Sequence, residues 1–119
     1  MQLTDLPSIE REAIRLLLQG NEILCRQLDR VTGAHRTESG AGVYVVFEFD
    51  EHVERLENRE SFQVADVFAT SPDCDEIGFI LFVKDGLIEY LESYVYTDVY
   101  PSYEECDFSL SRPVKGEDN

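Results

Sequence analysis

Ile77–Lys84 and Leu87–Tyr96 are two long apolar-rich runs separated only by Asp85-Gly86. Asp-Gly tolerates positive φ at both central positions, so it closes a tight antiparallel hairpin whose turn twist matches that of the strands. This feature fixes two neighbouring strands, their direction and a register. Counting outward from the turn pairs Lys84 with Leu87, Val83 with Ile88, Phe82 with Glu89, Leu81 with Tyr90, Ile80 with Leu91, Phe79 with Glu92, Gly78 with Ser93 and Ile77 with Tyr94. The first run is apolar on both sides, which predicts a central strand. The second carries acids among its aromatics, which predicts that part of it reaches solvent.

The remaining segments extend this sheet. Residues 8–32 read as one helix, with Ser8 as N-cap and Glu10 and Glu12 in the first turn. Ile9, Ala13, Leu16, Leu17, Gly20, Leu24, Leu28 and Val31 form its apolar stripe. The competing reading breaks it into two helices at Gln19–Asn21. His35–Gly42 reads as a connector, and Val43–Phe49 alternates with Val43, Val45, Phe47 and Phe49 on one side. Asp50–Ser61 is a short helix or a long loop, Phe62–Thr70 a strand, Ser71–Glu76 a turn, and Phe108–Leu110 a short last strand. The expected fold is α+β: an N-terminal helix packed on a four- to five-stranded antiparallel sheet. It forms a single domain over 1–119, with the helix at about 8–32, the sheet at about 43–110 and a loose tail at 112–119.

Charge is distributed unevenly along the chain. Met1–Arg36 carries five basic and five acidic residues, whereas Thr37–Asn119 carries five basic and twenty acidic, giving the net charge of −15. Asp85–Leu110 alone holds seven carboxylates, no Lys or Arg, and five of the six tyrosines. Such a surface repels phosphate and membrane headgroups and attracts basic proteins. The bland alternative is a charge excess that serves only solubility. Confinement of the imbalance and its mixing with tyrosine favour a partner. Tyr96, Tyr100 and Tyr103 lie beside Asp98, Glu104 and Glu105, the mixture expected where rings supply contact area and acids steer a basic protein.

Other chemistry finds little footing. No apolar run approaches the roughly 20 residues of a membrane span, and MQLTDLPSIER lacks the form of a secretory leader. Cys25, Cys74 and Cys106 are widely spaced, which suggests reduced cytoplasmic thiols rather than a disulfide framework or zinc ligands. Ser39-Gly40-Ala41-Gly42 follows a helix and opens a strand, the reverse of a phosphate-cradling loop. Asp73, Asp75 and Glu76 lack a calcium-loop pattern. His35 and His52 read as loop residues with no nucleophile assigned to them. If Glu89 faces the helix it needs a cation, with Arg11, Arg15 or Arg26 the candidates.

Gly40-Ala41-Gly42-Val43-Tyr44-Val45-Val46-Phe47, Gly78-Phe79-Ile80-Leu81-Phe82-Val83-Lys84-Asp85-Gly86, Leu91-Glu92 with Tyr94, and Pro101 together resemble a group of small bacterial proteins. Several of these resemble immunity proteins of toxin systems, including contact-dependent inhibition. The resemblance spans roughly residues 20–110, with Tyr100-Pro101 standing where Trp-Pro is expected. Its motifs are mostly fold-making, and it implies no catalytic residues; no metal or cofactor is expected.

The expected function is therefore a non-enzymatic cytoplasmic immunity protein. It binds a cognate toxin, a basic nuclease being the class that fits, through Glu92, Tyr94, Tyr96, Asp98, Tyr100, Tyr103, Glu104 and Glu105. Nucleic acid and membranes are not expected partners, and self-association through an edge strand stays open. The alternative is a small-ligand or regulatory module with a pocket between helix and sheet near Gly42, Tyr44 and Phe47.

Overall fold

The computed structural model describes residues 1–97 and 99–112. A 3-10 turn at Leu3–Asp5 leads into α1 (Ser8–Leu18) and α2 (Glu22–Gln27), and a second 3-10 turn at Leu28–Arg30 feeds the first strand. The strands are β1 (Val31–Ser39), β2 (Gly42–Phe49), β3 (Phe62–Ser71), β4 (Cys74–Lys84), β5 (Leu87–Tyr94) and β6 (Ser109–Ser111). They form one antiparallel sheet in the order β1-β2-β5-β4-β3-β6, with the helices on one face. The fold is α+β as expected, with more strands than expected.

The single helix expected over 8–32 is broken. Gly20 has a φ of +91°, which ends α1, and the Asn21 side chain restarts the backbone by accepting from Leu24 N at 3.0 Å. Val31, expected at the helix end, instead begins β1, and the supposed connector His35–Gly42 is mostly strand. Ser8 is the first residue of α1 rather than its cap, and the Pro7 carbonyl accepts from Glu10 N and Arg11 N. Arg112, expected in the loose tail, donates to the carbonyls of Leu16 and Leu17 at the end of α1. The rest of that tail, 113–119, lies outside the described residues.

Asp85 and Gly86, with φ of 54° and 75°, form the expected turn. The loop between β2 and β3 crosses here. Leu56 N donates to Gly86 O at 3.0 Å, and the buried Gln27 amide bonds the carbonyls of Glu54 and Gly86 and the N–H of Ile88. A Cβ at Gly86 would stand 2.6 Å from the Leu56 carbonyl oxygen. Gly86→Ala is therefore expected to lower stability by about 1–3 kcal/mol, read from the urea midpoint.

Beyond Val83–Ile88 the hairpin register departs from a straight count. Val83 pairs with Ile88 but Phe82 pairs with Tyr90, so Glu89 is the extra residue of a β-bulge. Every later pair shifts by one: Leu81 with Leu91, Ile80 with Glu92, Phe79 with Ser93, Gly78 with Tyr94. Leu81, Leu91, Phe79 and Ser93 consequently face the helices, with Val43, Val45 and Phe47 of β2 beside them in the core. Tyr90, Glu92 and Tyr94 turn to the opposite face.

The thiol expectation is also corrected, because Cys74 and Cys106 are joined across a Cα–Cα distance of 6.2 Å. The bond ties the start of β4 to the crossover that carries the chain from β5 to β6. Cys25 is free and exposed. No helix among the described residues is long and apolar enough to cross a membrane.

Candidate functional site

The expected partner residues divide between two places. Glu92 and Tyr94 lie on the sheet face opposite the helices, and Tyr96 stands beside them, its ring edge-on to Tyr94 at 5.6 Å and 80% exposed. Tyr100 and Tyr103 are half-buried on the helix side, and Glu104 and Glu105 are exposed along the crossover. Asp98 lies outside the described residues. The expectation that tyrosines and acids of 92–105 share one surface is thus corrected: the crossover carries Tyr100 and Tyr103 around the sheet and inward.

They turn inward because of a carboxylate. Glu10 lies on the buried stripe of α1 with Ala13, Ile14, Leu17 and Leu18, and it is fully buried. Arg36 of β1 donates to it through Nε at 3.0 and 3.2 Å and through Nη2 at 2.7 Å. The Tyr103 hydroxyl donates to Glu10 Oε2 at 2.6 Å, and the hydroxyls of Tyr100 and Tyr103 lie 2.8 Å apart. Glu10 holds the Arg36 guanidinium above its ordinary range, against the lowering effect of burial. Burial pushes the Tyr103 phenol up, with Tyr100 and Glu10 adding to the effect. The buried carboxylate is therefore Glu10, not Glu89, and its cation is Arg36. Arg11, Arg15 and Arg26 bond instead to Leu6 O, Glu12 and Glu54.

A cleft of about 460 Å³ opens beside this network, between Pro7, Arg36, Ser39, Gly40, Tyr100 and Pro101. Among the described residues its only cation is already engaged by Glu10 and by Glu38 at 2.9 Å, so the cleft offers a ligand no free positive charge. Tyr44 and Phe47, expected to line one pocket with Gly42, lie on opposite sides of the sheet. Phe47 faces the helices, whereas Tyr44 is exposed on the other face.

The open face is the larger feature. One row of neighbours across the strands reads Thr37, Tyr44, Glu92, Ile80, and the next reads His35, Val46, Tyr90, Phe82, Gln63. Phe82 and Tyr90 stack at 4.5 Å, and Tyr44 tilts against Tyr90 at 6.3 Å. Tyr44 and Val46 remain 39% and 44% exposed, and no helix among the described residues packs on them. Carboxylates interleave with the rings. Tyr44 donates to Glu92 at 3.3 Å, and the Glu92 charge pushes its phenol up. Burial lifts the Tyr94 phenol to about 12, with Tyr96, Asp66 and Glu76 contributing. His35 stands on β1 rather than in a loop and meets Glu48 at 2.8 Å at one border of the face. His52 is exposed in the β2–β3 loop.

Val46, Ile80, Phe82 and Tyr90 were not among the sequence candidates, and Tyr44 entered only as a lining residue of the alternative pocket. The alternation of β2 already set Tyr44 and Val46 opposite Val43, Val45 and Phe47. The bulge at Glu89, which carries Tyr90 and Glu92 to that same face, leaves no residue signature.

Comparison of the chain with protein-family models, with curated proteins and with solved structures finds no significant match.

Proposed function

We propose that this chain is a binding protein that neutralises a basic protein, a bacterial toxin domain, by covering its positive surface with the open face of the sheet. The observation that carries this reading is an uncovered layer of stacked and tilted rings with Glu92, Asp66, Glu76 and Glu48 set among or around them. Rings of this kind supply contact area at little entropic cost, and a net charge of −15 accelerates encounter with a cation-rich partner and disfavours pairing with a second copy of itself. A nuclease is the toxin class whose substrate demands a positive active face.

A nuclease is met in the cytoplasm, where the Cys74–Cys106 bond is expected to be reduced. The proposal therefore requires an open face that holds without that bond. Tyr44, Phe82, Tyr90 and Tyr94 sit on β2, β4 and β5, and β5 pairs with each of the other two.

The test is co-expression with each basic nuclease domain that the neighbouring genes are found to encode, followed by binding kinetics on the purified pair. Glu92→Lys and Tyr96→Ala are expected to abolish protection and to slow association by about tenfold at low salt. Glu104→Lys with Glu105→Lys, on the other side of the molecule, is expected to leave protection intact. Protection that survives the first pair and fails with the second would sink the open-face reading.

A further inference from the structure

We infer that the partner seats an arginine on Glu92, its guanidinium lying against the rings of Tyr44 and Tyr90. The inference rests on the proposed open-face reading and names the group that reading leaves unspecified.

Four carboxylates are shielded among the described residues; Glu89 and Glu92 have no cation, and of these two only Glu92 pairs across the sheet with Tyr44. Glu10 holds Arg36 and Asp50 holds Arg30 at 3.4 Å. Glu92, half-buried between Tyr44 of β2 and Ile80 of β4, accepts only the Tyr44 hydroxyl and has no cation within ion-pairing distance among the described residues. Water now solvates its free edge. A partner that covers Tyr44, Val46 and Tyr90 removes that water. A carboxylate covered without a cation is strongly disfavoured, so a partner docked here must bring a compensating charge to this point.

The surroundings select the kind of cation. Tyr44 and Tyr90 present two rings inclined at 52° beside the carboxylate. A guanidinium is planar and weakly hydrated. It can fork two N–H groups onto the carboxylate while its face lies on a ring. A lysine ammonium is a strongly hydrated point charge that gains little from the second contact.

The test uses the intact protein, labelled with nitrogen-15 and titrated with hexa-arginine and, separately, with hexalysine of equal charge. Hexa-arginine is expected to bind at least about threefold tighter. Its largest shifts should fall at Tyr44, Tyr90 and Glu92. Glu92→Gln, which keeps the volume and the Tyr44 hydrogen bond, is expected to lose about tenfold in arginine affinity and to level the two peptides. Equal affinities in the parent protein, shifts centred on Glu104–Asp107, or an unaffected Glu92→Gln variant would each overturn the inference. If any of these appears while Glu92→Lys and Tyr96→Ala still abolish toxin protection, the arginine is wrong and the open face stands. If protection is also untouched, both fail.

Discussion

Replacing Arg36 with alanine is expected to cost about 3–5 kcal/mol, the largest effect of any single substitution in this chain outside the apolar core. For a domain of this size that corresponds to a fall in melting temperature of roughly 12–20 °C. Among the described residues, Arg36 supplies three of the four hydrogen bonds that reach the Glu10 carboxylate, and Glu10 has no exposed surface from which to recruit water. The variant strands a charge in the core with only the Tyr103 hydroxyl against it. Glu10→Leu combined with Arg36→Met removes both charges and is expected to recover most of the loss, because buried ion pairs rarely outperform apolar residues of similar volume. Urea unfolding of the single and double variants checks both statements, and a single-variant loss below about 1 kcal/mol would mean that water reaches Glu10. The same cluster gives the molecule an alkaline limit. The Tyr103 phenol is raised from its ordinary value of 10.0 in the folded state. Its contribution is therefore fully present below that value and is lost as the pH climbs above it towards the folded-state value. Tyr103→Phe removes the phenol and should flatten that part of the pH profile.

The position of Glu10 also shows where sequence reasoning runs out. A carboxylate three residues before Ala13 and seven before Leu17 reads as a first-turn acid, and Ile9 beside it reads as the core residue. In the structure Glu10 occupies the buried stripe while Ile9 is only partly covered. A helix can be turned by tens of degrees when a distant arginine satisfies the acid it buries, and Arg36 lies on a segment that read as a connector. Local chemistry was legible where it acts alone: Asp85-Gly86 made its turn, and the alternation of β2 put Val43, Val45 and Phe47 inward. It was not legible where one residue changes the phase of everything after it. Glu89 is such a residue, since its bulge exchanges the faces of all residues from Tyr90 to Tyr94. Gly20 is another: its side-chain-free position suits a close helix contact as well as a break, and the positive φ that decides between them belongs to the folded chain. The open face was therefore half visible, through Glu92, Tyr94 and Tyr96, while the rings beneath them depended on a register that only the folded sheet fixes.

Loss of the Cys74–Cys106 bond, by Cys106→Ser or by a dithiol, is expected to cost about 3–4 kcal/mol, since a bond spanning 32 positions removes considerable freedom from the unfolded chain. Cys74→Ser should cost the same, and the double variant no more than either alone, because all three delete one constraint. The native state has other means of holding the crossover in place. Thr97 donates to Asp75 at 2.9 Å, Tyr100 N donates to Gly40 O at 2.9 Å, Tyr103 bonds Glu10, and Phe108 and Leu110 pack on the core. The reduced protein should therefore keep the folded chemical shifts of Tyr44, Tyr90 and Glu92 while unfolding at lower urea. If those shifts move on reduction, the bond holds the sheet itself and an inhibitor working in a reducing compartment would lose its binding face. If they stay, the bond stabilises the fold in an oxidising compartment without shaping the open face, and the proposed binding surface is present in both states.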